Sequence, residues 1–322
     1  MGVITLNFTQ RSFTQKNEQI GCSSEGIMGT QTRIGVAPPG FRLPDETRVG
    51  RVRLQVSDIA RSIAYYEKVL GLKLVARNDG RASFGAGADD RVLVELVERP
   101  GARPVPHRGL RGLYHFAVLL PDRPSLARFV VHLADIGERA GMSDHLVSEA
   151  LYLKDPDGIT IEVYADKPRE TWTAVDGQLT MATDPLDVED LVKSANGVRW
   201  ECAPAGTTIG HMHFYVGDIN EAERFYHAGL GFDKIVWSYP GALFMSAGGY
   251  HHHVGTNIWA AGAPVATEED AKLLDWELVL PGAADVNAAA SSLESAGFSV
   301  DRSDDGVSAN DQQGIRVRLI TA

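Results

Sequence analysis

The spacing of hydrophobic and polar residues predicts a repeated unit made of a strand, a helix and further strands. The first copy begins with a strand at Val49, continues into a helix capped by Asp58, and stops at Gly71. The same features recur 160 residues later without a gap, with the cap at Asp218 and the stop at Gly231. The chain therefore contains an internal repeat.

A second half-unit follows each of these stretches. Residues 113–121 form an apolar strand that ends at a proline, and residues 274–281 repeat this pattern. The amphipathic helix after each strand is expected to end at a glycine, Gly141 in the first copy and Gly297 in the second. Both half-units close with a turn and a strand.

These patterns predict an α+β fold built from four tandem βαβββ modules. The first domain is predicted at residues 37–168 (modules 48–100 and 110–168), and the second at residues 207–322 (modules 207–262 and 272–322). Residues 169–206 are predicted to be a linker with a short helix near residues 185–194. Residues 1–36 are rich in Gln, Ser, Thr and Gly, so we expect a poorly ordered leader.

Composition narrows the class of protein. The 322 residues are 44% hydrophobic, which suits a globular chain, and the net charge of −11 disfavours binding to nucleic acid or to an anionic membrane surface. Cys22 and Cys202 are too few for a disulfide framework. No apolar stretch is long enough for a membrane span, and no signal-peptide pattern opens the chain. We expect a cytoplasmic homo-oligomer.

Four features contain residues suited to metal or proton chemistry: His115 on one strand, the segment from His145 to Glu162, His211 on another strand, and the histidine run 251–253. Each alone has a structural explanation, because most strand histidines are structural and Asp-Pro-Asp-Gly is a common turn. Together they change the interpretation. Two histidines and one carboxylate on separate strands are the ligand set of mononuclear non-haem iron(II). Such a site keeps a net positive charge, which favours a bound catecholate.

The segment from His145 to Glu162 resembles the signature of extradiol ring-cleavage dioxygenases. It contains, in the expected order, Leu151-Tyr152 and then Asp155-Pro156-Asp157-Gly158; Ser143 departs from the usual residue two positions before the histidine. More widely, all four modules resemble the vicinal oxygen chelate superfamily. The phrases 112–116 and 250–253 are similar to its bacterial catechol 2,3-dioxygenase branch.

The resemblance implies a role for each matching residue. His115, His211 and Glu162 match the metal ligands, and Fe(II) is the expected ion, with Mn(II) suited to the same ligands. His252 matches the acid/base histidine, and a shift of one position would give this role to His253. His145 and Tyr152 match groups that hydrogen-bond the substrate. The implied reaction is cleavage of a small catechol-type diol by O₂ to a muconic semialdehyde.

The outer modules depart from this pattern. Arg51 stands where His211 stands in the repeat, Asp275 replaces His115, and Arg318 replaces Glu162. The complete ligand set thus falls in modules two and three. A single metal site requires those modules to face each other, which leaves modules one and four to pair together. The main alternative is a site between two chains.

Other functions remain open. A hydroquinone-cleaving dioxygenase would need the same metal site, and the superfamily also contains glyoxalase-like metalloenzymes and non-catalytic binding proteins. His145 and Tyr152 favour ring cleavage over glyoxalase chemistry. The intact set of ligands disfavours a binding protein.

Overall fold

Each predicted module folds as a strand, a helix and three strands in the computed structural model, which describes residues 34–88, 91–303 and 306–322. The predicted leader lies outside the described residues, apart from its last three positions. The α+β class and the βαβββ repeat are confirmed. No described helix is both long and apolar enough to cross a membrane.

The elements follow in chain order. Module one contains β1 (Arg48–Val56), α1 (Ile59–Lys68), β2 (Lys73–Asn78), β3 (Arg81–Gly85) and β4 (Val94–Glu98). Module two contains β5 (Gly112–Leu119), α2 (Arg123–Ile136), β6 (Gly141–Asp144), β7 (Ser148–Lys154) and β8 (Thr160–Asp166). The connection contains a 3₁₀ turn (Arg169–Thr171), β9 (Ala174–Val175), β10 (Gln178–Leu179) and α3 (Val188–Lys193).

The second half of the chain repeats this order. Module three contains β11 (Thr208–Tyr215), α4 (Ile219–Ala222) with a π-helical continuation (Glu223–Gly229), β12 (Asp233–Val236), β13 (Ala242–Ser246) and β14 (Val254–Asn257). Module four contains β15 (Lys272–Leu280), α5 (Ala283–Ser295), β16 (Val300–Ser303), β17 (Gly306–Asn310) and β18 (Arg316–Thr321).

Local chemistry sets the helix ends. The side chains of Asp58 and Asp218 accept backbone N–H bonds at the starts of α1 and α4, as their positions in the repeat predict. The end of α2 differs from the prediction. It ends at Gly137, which adopts a left-handed φ of 72°, whereas the predicted stop, Gly141, is the first residue of β6. The earlier glycine ends the helix because it satisfies the last carbonyls there.

The strands of the four modules form two eight-stranded sheets that pair the modules from outside inward, and β9 pairs with β10 in the connection. The outer sheet has the order β16-β17-β18-β15-β1-β4-β3-β2, and the inner sheet has the order β12-β13-β14-β11-β5-β8-β7-β6. Module one thus pairs with module four, and module two with module three, as a ligand set within one chain predicts. Each sheet contains one module from each predicted domain. The division into one domain at residues 37–168 and another at residues 207–322 therefore stays a prediction, because neither sheet lies within one of these ranges.

Equivalent turns tie consecutive modules together. The Asp155 carboxylate accepts backbone N–H bonds from Asp157 and Ile159, each at 2.9 Å, and a hydroxyl bond from Tyr66 of module one at 3.3 Å. The carboxylate of Asp311 holds its own turn in the same way and accepts from Tyr226 of module three at 3.0 Å. These buried contacts link module two to one and module four to three. The two sheets and their helices share one continuous hydrophobic core.

Stability should depend on pH through the Asp155 turn. Burial raises the pKa of Asp155 from 3.8 to about 7, so the folded protein retains a proton that the unfolded chain loses between these values. The contribution of protonated Asp155 to the free energy of unfolding is fully present below pH 4. It is lost as pH rises through 7, by up to about 1.4 kcal/mol per pH unit. Asp155→Asn should flatten this dependence, since an amide oxygen accepts the same backbone bonds. Denaturant unfolding of the parent and the variant from pH 4 to 8 measures this dependence. An unchanged slope above pH 6 in Asp155→Asn would contradict the assignment. The range above pH 6 is decisive because Asp311, with a pKa of about 6, contributes to the slope below it.

Candidate metal centre

Three neighbouring strands of the inner sheet carry the predicted ligands. In the register of β8, β5 and β11, Glu162 lies opposite Ala117, which lies opposite His211. His115 is two residues before Ala117 on β5 and therefore points to the same face. The small alanine in the middle of the row leaves space for the three larger side chains to converge.

The ligand atoms converge at the spacing that a metal requires. Nε2 of His115 and Nε2 of His211 are 3.3 Å apart, and they lie 3.0 and 3.1 Å from Oε2 of Glu162. Ligands at right angles and about 2.0 to 2.2 Å from one ion are themselves about 3 Å apart. All three side chains are buried. The residues therefore fit one face of an octahedral ion, within a single chain.

The protonation states suit metal binding. Burial disfavours ionisation of Glu162, but the interactions of its carboxylate with His211 and His115 outweigh burial and lower the pKa of Glu162 well below its usual value. Burial lowers the pKa of His211 to about 4, against the attraction of Glu162. A carboxylate and an uncharged imidazole are the forms that donate lone pairs to a cation.

Packing holds the histidine rings in place. Neither Nδ1 of His115 nor Nδ1 of His211 has a hydrogen-bond partner among the described residues. Instead, the ring of His115 stands edge-to-face against Tyr152, with centroids 5.6 Å apart, and the ring of His211 lies 4.9 Å from that of Tyr164. Gly210 permits this approach, because a Cβ atom there would lie 1.8 Å from the Tyr164 hydroxyl.

A cavity of about 410 Å³ opens beside the three candidate ligands. His115 and Glu162 lie in its lining. Its walls include the aromatic side chains of Tyr114, Tyr152, Tyr239, Phe244 and Trp259. This volume is within the usual range of small-molecule sites. The cavity thus offers flat apolar walls beside a small number of polar groups.

His145 and Tyr152 form a hydrogen-bonded pair in the cavity wall. Nδ1 of His145 lies 2.7 Å from the carbonyl oxygen of Ala182, which can only accept, so this nitrogen carries a hydrogen. In the neutral ring, Nε2 then accepts the hydrogen bond from the Tyr152 hydroxyl at 2.7 Å. Burial and nearby Glu162 raise the pKa of Tyr152 well above 10, so its hydroxyl remains a donor.

The three histidines of residues 251–253 have different surroundings. His252 lines the cavity, and its ring centroid lies 4.1 Å from that of His211. Burial, together with the repulsion of His211 and His251, lowers the pKa of His252 well below 6.5. His253 lies outside the cavity lining and accepts the backbone N–H of Ala247 at 3.2 Å. The geometry therefore brings His252, and not His253, to the predicted site.

Two parts of the cavity were absent from the sequence predictions. His213 lines the cavity and is hydrogen-bonded to the side chain of Asn257 at 3.0 Å. Strand alternation was a usable signal for it, since His211 and His213 are two residues apart. The second part is the connection: Met181, Ala182 and Thr183 line the cavity. Thr183 is also hydrogen-bonded to Tyr239 at 3.1 Å.

The outer sheet has ion pairs at the equivalent positions. Arg51, the counterpart of His211, contacts Glu95 at 2.5 Å and Glu277 at 2.7 Å. Arg53 pairs with Asp275, the counterpart of His115. A guanidinium has no lone pair to offer a cation and itself neutralises the carboxylates. These ion pairs occupy the positions at which modules one and four lack the candidate ligand residues.

The family comparison matches the two halves of the chain separately, each with two modules. The model of the glyoxalase/bleomycin resistance protein/dioxygenase superfamily matches residues 48–163 and 208–318. A catechol-2,3-dioxygenase from Bacillus subtilis (strain 168) is 42% identical over 264 residues, which cover 81% of this chain and 92% of the relative.

Solved structures show the same fold at low sequence identity. A structure from Bacillus subtilis subsp. subtilis str. 168, provisionally assigned as a dioxygenase, has a TM-score of 0.62 and 14% identity, covering 87% of this chain and 86% of that one. Glyoxalase I from Zea mays has a TM-score of 0.51 and 17% identity, covering 86% and 92%. At these identities the likeness concerns the fold alone.

The chain belongs to the glyoxalase/bleomycin resistance protein/dioxygenase superfamily. It is an enzyme of the extradiol dioxygenase class, as the resemblance of the segment from His145 to Glu162 predicts.

Removing the space beside His211 should disturb the metal centre. Gly210→Ala places a methyl group against Tyr164 and should destabilise the fold by about 1 to 3 kcal/mol, as overpacking usually does, and weaken metal binding. Adding Tyr164→Phe removes the nearest atom and should restore part of both losses. Gly40→Ala is the control, because no described atom lies within 4 Å of its added carbon. Unfolding curves and metal titrations would measure these effects; equal behaviour of the two alanine variants would refute the close contact.

Proposed function

We propose that this enzyme cleaves a small catechol-type diol beside one of its hydroxyl groups, using O₂ and Fe(II) held by His115, His211 and Glu162, to give a muconic semialdehyde. The observation that carries the proposal is the convergence of three ligand atoms within 3.3 Å of one another below an aromatic cavity. The name of the Bacillus subtilis relative supports the same substrate class.

Iron held by His115, His211 and Glu162 would supply Lewis-acid chemistry toward the diol and redox chemistry toward O₂. The protein positions the reactants. With a divalent ion bound, the single negative charge of Glu162 and two neutral imidazoles would leave the site with a net positive charge. This charge favours a deprotonated diol. Flat side chains of Tyr239, Phe244 and Trp259 hold the aromatic ring and exclude water from it.

Two groups handle hydrogen bonds and protons in this proposal. The Tyr152 hydroxyl, which donates its one hydrogen to His145, accepts a hydrogen bond from a hydroxyl group of the substrate or of a later species. His252, uncharged and in the cavity wall, takes a proton from the diol and returns it as the ring opens. His253 retains this role only if the strand shifts by one residue, and its position outside the cavity lining argues against that.

The substrate class is tested by loading the enzyme with iron under anaerobic conditions and measuring O₂ uptake with a panel of catechols and hydroquinones. Ring cleavage of a catechol should produce a yellow semialdehyde. Uptake with hydroquinones only would replace the proposal with the related hydroquinone-cleaving reaction. Absence of uptake with every diol, in a sample shown to retain iron, would reject both.

The metal ligands are tested by Glu162→Ala. This variant should lose bound metal, because the remaining two histidines cannot complete the facial set. Elemental analysis of purified protein would also distinguish Fe(II) from Mn(II) in the parent. Full metal content in the variant would contradict the ligand assignment.

The acid/base residue is tested by His252→Phe, with His253→Phe as the matched control. The first variant should keep its metal and lose turnover by about 10²-fold or more, the usual scale of acid–base catalysis. The second should retain most of the turnover. The reverse result would assign the role to His253.

The location, oligomeric state and partners of the protein stay predictions. We retain the cytoplasmic location, the homo-oligomeric state and the absence of nucleic-acid and membrane partners as part of the proposal. The acidic net charge of −11 supports the absence of nucleic-acid and anionic-membrane partners.

A further inference from the structure

A second histidine and a carboxylate continue from His252 away from the cavity. Nδ1 of His252 lies 2.8 Å from Nδ1 of His251, and Nε2 of His251 lies 2.9 Å from Oδ1 of Asp166. The His251 side chain is fully buried, whereas that of Asp166, the last residue of β8, is 28% exposed. The three side chains thus form a hydrogen-bonded row from the cavity wall to the surface.

The donors and acceptors in this row fix the hydrogen positions. A carboxylate can only accept, so Nε2 of His251 must donate to Asp166. In neutral His251, Nδ1 then has a lone pair and no hydrogen. The hydrogen in the contact between the two histidines therefore belongs to Nδ1 of His252. Its other ring nitrogen, Nε2, is left without a hydrogen.

We propose that His251 and Asp166 are positioning residues that fix the tautomer of His252, so that its Nε2 presents a lone pair to the cavity. There Nε2 accepts a hydrogen bond from a hydroxyl group of the substrate. Only this last step rests on the proposed function, because the tautomer follows from contacts within the chain.

A purely structural role predicts a different outcome. Asp166 also accepts a hydrogen bond from the Tyr250 hydroxyl, at 3.1 Å on the same oxygen. If Asp166 served only to hold the strands together, loss of the Tyr250 bond and loss of the His251 bond would have similar effects. Tyr250→Phe is therefore a matched control, since it removes one bond to Asp166, together with the bond between the Tyr250 and Tyr164 hydroxyls, and leaves His251 in place.

The tautomer is measured by ¹⁵N NMR of the full-length, histidine-labelled protein without metal. The parent and Tyr250→Phe should show a hydrogen on Nδ1 of His252 and none on Nε2. His251→Phe and Asp166→Leu should move part or all of the population to the other tautomer. Asp166→Asn should give a mixture, because an amide can either accept from His251 or donate to it. The surface position of Asp166 makes its variants suitable if His251→Phe does not fold.

Substrate readouts complete the test. Anaerobic binding of catechol to the iron-loaded protein should weaken by about 10-fold in Asp166→Leu, the effect of losing one hydrogen bond, and turnover should fall further. Unchanged His252 tautomers in both disruptive variants would overturn the inference. So would an equal loss of binding in Tyr250→Phe and Asp166→Leu. If the parent cleaves no diol yet the tautomers shift as described, the proposed reaction fails and the positioning role stands.

Discussion

The antiparallel pairing of β5 with β11 is the interaction on which the candidate metal centre depends. It aligns His115 and Ala117 on one strand with His213 and His211 on the other. A slip of one residue would turn one set of side chains to the opposite face of the sheet. Phe116 pairs with Met212 on that face, and both are fully buried in the core. The hydrophobic core therefore fixes the register that brings the ligands together.

Much of this arrangement is predictable from the sequence, for a chemical reason. The hydrophobic pattern yields four modules but does not state which modules pair. The missing information comes from the ligands: Arg51 cannot replace His211 at a cation, so the second and third modules must meet at one site, within a chain or between chains. The structure places both modules in one sheet of one chain. The local error at the end of α2 has an equally local cause. Gly137 and Gly141 are both plausible helix stops, and the pattern alone does not rank them.

Other features depend on tertiary contacts that periodicity does not contain. The bond between His213 and Asn257 joins two strands of module three, and the contact between Asp166 and His251 joins modules two and three. Neither pair is close in sequence. The histidine run before β14 also shows that neighbouring residues can have different environments. His252 faces the cavity, whereas His253 accepts the backbone N–H of Ala247.

Part of the cavity wall comes from the connection between the halves of the chain. Met181 and Thr183 belong to neither large sheet, and they lie beside the aromatic walls rather than in the row of ligands. Exchange of these side chains would reshape the pocket without altering the strand pairing that holds the triad. The fold therefore assigns the two tasks to different parts of the chain: a connecting segment shapes one wall of the cavity, while the sheet holds the three candidate ligands.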